Sequence, residues 1–348
     1  MTTTDPEYSV NDEIISFFTK TSATRSECDA RANELTGGGK VVPIEVEGVC
    51  SYSVYAGPDL ESVVEFRPKS LQLKTETCVL ARKVYGSLAP SVSFAGEIGD
   101  EASGKEPLCI YVMNRIKGVT YLDFILANGF PENSETVFGY HKNVMADVAK
   151  FCALSWNAPL SIDPADRDQL QEKYIKELTL LHTALPKRFQ PIIQKCIDSM
   201  DGILSLPMVL LYRDFRISKI MVDKASCHIV GVMDWAEAEV SPFGLNLHSI
   251  QALTGNLHLW KGWSRYDDFD ELQDVFWSVF QEQVGALSEE TLHTIKQARI
   301  TGLLLSPGFT SRVANEPEYG PINDDEQGPY NMMMSLDGFL IYAAINFN

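Results

Sequence analysis

The chain has 348 residues, 45% of them hydrophobic and 22% charged, with a net charge of −18. Those values suit a globular protein large enough for two lobes or domains around a sizeable core. They argue against a nucleic-acid binder, which needs clustered Lys and Arg, and no apolar run approaches membrane-spanning length.

Residues 10–36 read as helix, with Ile14, Ile15, Phe17 and Phe18 as an apolar cluster and Thr24 as the cap of a second segment. Gly37-Gly38-Gly39 stops it. Strands are predicted over 41–47, 51–55 and 62–67, separated by turns at Gly48 and at Ala56-Gly57-Pro58-Asp59. Helical spacing returns over 73–85. Two more strands, 92–94 and 108–113, follow around a polar loop. After Gly118 the pattern becomes helical, over 121–128, 141–156, 168–183 and 189–203, then 268–284 and 289–305. Residues 307–330 read as a surface loop, and 332–345 as an apolar tail that docks back on the body.

The chain therefore divides into an N-terminal helical segment (1–36), a strand-rich lobe (37–117), a helical lobe (118–306), and a loop with a docking tail (307–348). The class is α+β. The seven cysteines show no C-x-x-C spacing and lie mostly in apolar runs, so buried, reduced thiols in a cytoplasmic protein are expected. Residues 1–7 have neither a basic region nor an apolar core, so no signal peptide is expected. The histidines lack zinc-ligand spacing.

One segment interrupts the helices. Leu210-Leu211-Tyr212-Arg213-Asp214 is an apolar run ending in an Arg-Asp pair. A second short strand, 220–222, follows after a tight loop. A third, 229–233, ends in Asp234-Trp235. Two short strands that each deliver or flank a carboxylate are a layout used to hold a catalytic base and a Mg²⁺ ligand beside ATP. The alternative for each Asp is a turn cap beside a strand.

With this segment, and a hinge near Met113-Asn114-Arg115, the chain resembles the aminoglycoside phosphotransferase and choline kinase branch of the protein-kinase-like fold, over about residues 33–305. It looks closest to that family's fungal members. The resemblance implies two lobes, an antiparallel-sheet N-lobe and a mainly helical C-lobe. It also implies transfer of a phosphoryl group from ATP, with Mg²⁺, to a hydroxyl of a small-molecule substrate.

The family's motifs map unevenly. Arg213-Asp214 matches the catalytic pair, with Asp214 as the base that orients the substrate hydroxyl. Asp234 matches the metal ligand. Lys219, however, occupies the position of an Asn ligand, and an ammonium has donors and no acceptor. It is expected to repel the cation, or to pair with Asp214, Asp234 or a phosphate. Tyr212 stands where the family has His, with a packing role expected. Arg216-Ile217-Ser218 fills a loop usually built from small or polar residues.

In the strand-rich lobe, Glu76 matches the helix Glu, and Arg67 stands in for the strand Lys, with Glu65 beside it. A plain Glu/Arg surface pair is the alternative there. Ser51 belongs to a turn, residues 47–53, that matches the nucleotide-covering loop loosely, and Met113 falls at the hinge. Trp260, Trp263 and Tyr266 sit in a region that lines the family's acceptor pocket. Ordinary surface aromatics are the alternative. Asn246 stands where a structural Asp is usual, and is expected to bond to backbone. Two functional classes follow: an ATP- and Mg²⁺-dependent phosphotransferase, or a degenerate relative that binds a small metabolite or does other chemistry on it.

Overall fold

The computed structural model describes residues 9–44, 50–101, 104–128, 134–212, 215–258, 262–310, 320–323 and 332–341. The chain forms two compact units, Met1–Arg82 with Ala89–Lys117, and Lys83–Leu88 with Gly118–Asn348.

The first unit opens with helices α1 (Val10–Thr19) and α2 (Arg25–Leu35). Thr24 and Glu27 form a reciprocal capping box at the start of α2, which satisfies two otherwise unbonded N–H groups. Strands β1 (Lys40–Pro43), β2 (Tyr52–Gly57) and β3 (Ser62–Pro68) follow, then α3 (Thr75–Tyr85), β4 (Val92–Ile98) and β5 (Leu108–Asn114). They make one antiparallel five-stranded sheet in the order β1-β2-β3-β5-β4.

Alternation sends Tyr52, Val54 and Ala56 of β2, and Val64 and Phe66 of β3, to one buried face. Ile14, Phe17, Cys28 and Ala32 of the two N-terminal helices pack into that same core. The N-terminal helices thus share one core with the sheet rather than standing as a separate segment.

The second unit begins with β6 (Val119–Thr120), α4 (Tyr121–Ala127), α5 (Glu135–Trp156), α6 (Pro164–Ala184), α7 (Gln190–Asp198) and α8 (Met200–Ser205). The periodicity predicts one helix over 189–203. The structure breaks it at Ser199, with φ −90° and ψ 0°, whose hydroxyl and N–H both donate to the Lys195 carbonyl, at 2.7 and 3.0 Å.

Short strands then follow: β7 (Met208–Leu211), β8 (Ile220–Val222), β9 (Ile229–Val232) and β10 (Glu239–Pro242). They pair as β6-β8-β9 and as β7-β10. Between β10 and the next helix, where no strand is expected from the sequence, β11 (Gly255–His258) pairs antiparallel with β12 (Gly262–Arg265). Gly255 permits that approach, because a Cβ at this position would lie 2.2 Å from the Ser264 carbonyl oxygen.

Helices α9 (Phe269–Val284), α10 (Glu289–Leu305) and α11 (Met332–Leu340) complete the unit. Leu336 is fully buried, and Asp337 receives a bidentate bond from Arg188 at 2.6 and 2.9 Å. An antiparallel sheet with a single inserted helix, followed by a mainly helical part, is the α+β order expected above. Among the described residues, no helix is long and apolar enough to cross a membrane.

All seven cysteines are free, and only Cys50 is not buried. Burial pushes the thiols of Cys28, Cys152 and Cys227 up to about 12. The thiolate is the reactive form, so these groups are protonated and shielded at neutral pH. At pH 8 a thiol reagent should therefore label Cys50 first and the other six only on unfolding. Labelling of several cysteines in the native protein, read by intact-mass spectrometry, would contradict this placement.

Candidate functional site

The carboxylate-bearing segment is built on an aromatic base within the second unit. Tyr212 follows β7 and is buried. Its ring lies 4.9 Å from Trp235 and 6.0 Å from Phe215. Phe151 of α5 stacks on Phe215 at 5.3 Å and on Tyr85 at 4.3 Å. Tyr85 also donates to the Leu210 carbonyl at 2.6 Å, so a residue from the end of α3 grips β7 directly.

The hydroxyl of Tyr212 reaches across and donates to the Met233 carbonyl, one residue before Asp234. Asn246 donates to the Tyr212 carbonyl at 3.2 Å, the backbone bond expected of it. Trp235 donates its indole N–H to Val232 at 2.9 Å. The packing role expected of Tyr212 and the core role of Trp235 are both visible here.

Asp234 itself is exposed and has φ +61°. That left-handed conformation is uncommon outside glycine, though Asp tolerates it better than most residues. The backbone there is held on both sides. Met233 N–H donates to the Lys219 carbonyl at 3.0 Å, and Lys219 N–H donates to Arg216 at 2.8 Å.

The Lys219 ammonium forms an ion pair with Asp234 Oδ2, the two side chains being 29% and 39% exposed. Of the pairings open to Lys219 from sequence, this is the one the described residues show. Arg216 is exposed in the same turn. Arg213 and Asp214 lie outside the described residues.

Arg67 is bonded to Glu65, its neighbour two positions back on β3, at 2.8 Å, with both side chains mostly buried (11% and 13% exposed). Its Nε donates to the Leu71 carbonyl at 2.8 Å. Glu76 is exposed on α3. The pair is therefore intrastrand and mostly buried on the central strand β3, rather than a surface pair. Met113 of β5 is half-buried, opposite Val63 and Val92. Ser51 is half-buried just before β2, and residues 47–49 of its turn lie outside the described residues.

In the expected acceptor region, Trp260 lies outside the described residues. Trp263 is on β12, its ring 5.1 Å from Phe339 of α11. Tyr266 stacks on His141 of α5 at 4.5 Å and 11°, and its hydroxyl donates to Asn256 at 3.3 Å. Burial, with the nearby Asp268, raises its pKa. His141 Nδ1 lies 3.1 Å from Asp268, and both residues are buried. Asp268 stands at the N-cap of α9 yet makes no side-chain cap bond there. Sequence reading did not find this pair. The partners are 127 residues apart and neither belongs to a local motif.

A Mg²⁺ ion takes several oxygen ligands in near-octahedral geometry. Of the residues the resemblance assigns to the metal, the described ones offer Asp234, whose Oδ2 already faces an ammonium, and Lys219, which has no lone pair to give. Among the described residues no group of three or more His, Cys, Asp and Glu could hold a metal ion. The donor set does not fit the ion that the resemblance implies.

No protein-family model matches the chain, and no curated protein matches its sequence. Solved structures do. The chain is similar to a type I macrolide 2'-phosphotransferase at 13% identity and TM-score 0.49, covering 82% of this chain and 91% of that one. It is similar to an aminoglycoside phosphotransferase from Streptomyces rimosus, in complex with ADP and streptomycin, at 11% identity and TM-score 0.43, covering 78% and 97%. It is also similar to an ethanolamine kinase from Plasmodium vivax at 12% identity and TM-score 0.45, covering 86% and 87%.

The Tyr212 hydroxyl is the tie between the two carboxylate-bearing strands. Tyr212→Phe should lower the unfolding free energy by about 1–3 kcal/mol, the cost of leaving a buried carbonyl without its donor. It should also speed amide exchange over residues 212–219 and 233–235. Unchanged exchange there in the variant would remove this bond from the account of the loop.

Proposed function

We propose that the chain is a degenerate relative of the small-molecule phosphotransferases, which binds or transforms a small metabolite at the Asp214–Asp234 segment without metal-dependent phosphoryl transfer. The observation that carries this reading is the Lys219–Asp234 ion pair. Phosphoryl transfer relies on metal ions that bridge the phosphates and neutralise developing charge. Here an ammonium takes one oxygen of the expected metal ligand and supplies no ligand of its own. The Arg67–Glu65 pair adds support, since the strand cation is already neutralised by its own strand.

In this reading Asp214 keeps the role of a proton acceptor towards a bound metabolite, a task that needs no nucleotide. Trp260, Trp263 and Tyr266 would contact that ligand. The ligand is a small molecule and the protein a cytoplasmic one.

A second reading rests on Asp234 alone. Its left-handed backbone is an outlier at the expected position of a metal ligand, and such outliers gather at functional sites. This reading makes the chain an active enzyme that transfers phosphate from ATP, with Mg²⁺, to a small-molecule hydroxyl. Asp214 would be its base, Asp234 its metal ligand, and Arg67, Glu76, Met113 and Ser51 its nucleotide contacts.

Melting curves separate the two. A ligand of the native state stabilises by mass action, about 2.7 kcal/mol at a hundred times its dissociation constant. Adding Mg²⁺ to ATP should raise the melting temperature of the native chain no further than ATP with EDTA does. In Lys219→Asn a Mg²⁺-dependent rise should emerge. Metabolite extracts should be converted without ATP, and Asp214→Ala should abolish that conversion. ATP consumption that needs a hydroxyl acceptor and is lost in Asp234→Asn would establish the second reading instead.

A further inference from the structure

Asn246 stands at the start of the 3₁₀ turn Leu247–Leu253, a place where an Asn side chain ordinarily accepts a backbone N–H. It makes no such cap bond here. Its Nδ2 donates instead to the Tyr212 carbonyl at 3.2 Å. That contact fixes the orientation of the amide, since the other flip would set oxygen against oxygen. The Oδ1 is buried, and among the described residues nothing donates to it. Buried amide oxygens are seldom left without a donor.

Asn246 lines a narrow cavity of about 30 Å³, with Tyr174 of α6, Leu211 of β7, Glu239 and Ser241 of β10, and Gly302 of α10. Tyr174 and Ser241 are buried. The Ser241 hydroxyl donates to Glu239 at 3.0 Å and lies 3.2 Å from the Tyr174 hydroxyl. A hydroxyl has one proton, so Tyr174 is the donor of that second contact, and its oxygen is able to accept. What the lining offers an occupant is therefore acceptors, the Asn246 Oδ1 and the Tyr174 oxygen. A water needs roughly 10–15 Å³ of such space and two to four polar partners. A metabolite needs far more room than this cavity has.

We propose that one ordered water binds in this cavity, donating to Asn246 Oδ1 and to the Tyr174 oxygen, and that Asn246 is thereby a positioning residue for Tyr212. The water ties the amide to α6, and the amide holds the Tyr212 carbonyl. The Tyr212 hydroxyl in turn holds the Met233 carbonyl, one residue before Asp234. A carboxylate at this position would accept from the water but could not donate to the Tyr212 carbonyl, so the amide lets one side chain serve both. This role does not depend on which chemistry the segment performs.

A crystal structure of the full chain, at a resolution that shows ordered water, tests this directly. It should place a water about 2.7–3.2 Å from both Asn246 Oδ1 and the Tyr174 hydroxyl oxygen. In solution, relaxation dispersion of water oxygen-17 counts long-lived internal waters, and Asn246→Leu should lower that count by about one. Tyr174→Phe should release the same water. It should also speed amide exchange over residues 211–212 and 245–247 by about two- to tenfold, the effect of one hydrogen bond. Circular dichroism should show both variants folded.

Three results would overturn the proposal. One is a cavity without water density, or an Asn246 Oδ1 that accepts from a protein group. Another is a count of long-lived waters that stays the same in folded Asn246→Leu and Tyr174→Phe. The third is a peak in the cavity that gains anomalous signal on exchange into rubidium, which would make the occupant a monovalent cation. Should Asn246→Leu fail to fold, the native crystal structure and Tyr174→Phe still decide.

Discussion

The hydrogen bond from Tyr212 to the Met233 carbonyl joins the end of one buried strand to the end of another. The backbone of the second unit's site depends on that tie. It fixes the backbone just before Asp234, and it sits on a floor of rings from Tyr85, Phe151, Phe215 and Trp235. Phenolic oxygen reaches farther from its backbone than imidazole nitrogen, so a Tyr can span the gap while its ring fills the core. Tyr212, where the resemblance implies a His, thus supports the backbone that leads to Asp234.

Much of the architecture was legible in the sequence because the signals were local. The strands over 51–55 and 62–67 and the Thr24 cap of α2 each depend on residues a few positions apart. The Asp-Trp pair after an apolar strand was equally local, and the structure places Asp234 at the end of β9's segment with a distinctive backbone. The break at Ser199 and the β11–β12 hairpin were not legible. One depends on a hydroxyl choosing a carbonyl, the other on how closely two backbones approach at Gly255. The buried pair of His141 and Asp268 was invisible for a different reason: it exists only once α5 and the start of α9 lie side by side.

The site residues divide along the same line. Sequence could say that Lys219 is unable to bind a metal, because that follows from its chemistry. It left open which anion Lys219 would meet, and the hairpin geometry of β8 and β9 decides for Asp234. Arg67 shows the opposite case. Its alternation with Glu65 already put both on one side of β3, and the ion pair is the simple outcome of that pattern.

Asp234 is also a lesson in what persistence of a residue means. At φ +61° the choice of side chain is narrowed by the backbone before any chemistry is considered. Glycine pays no steric penalty there, and Asn or Asp pay little, whereas β-branched residues pay most. A lineage that abandoned metal binding would thus drift slowly at this position, confined to three or so residues by the turn itself. An aspartate at this position answers to backbone geometry as well as to chemistry.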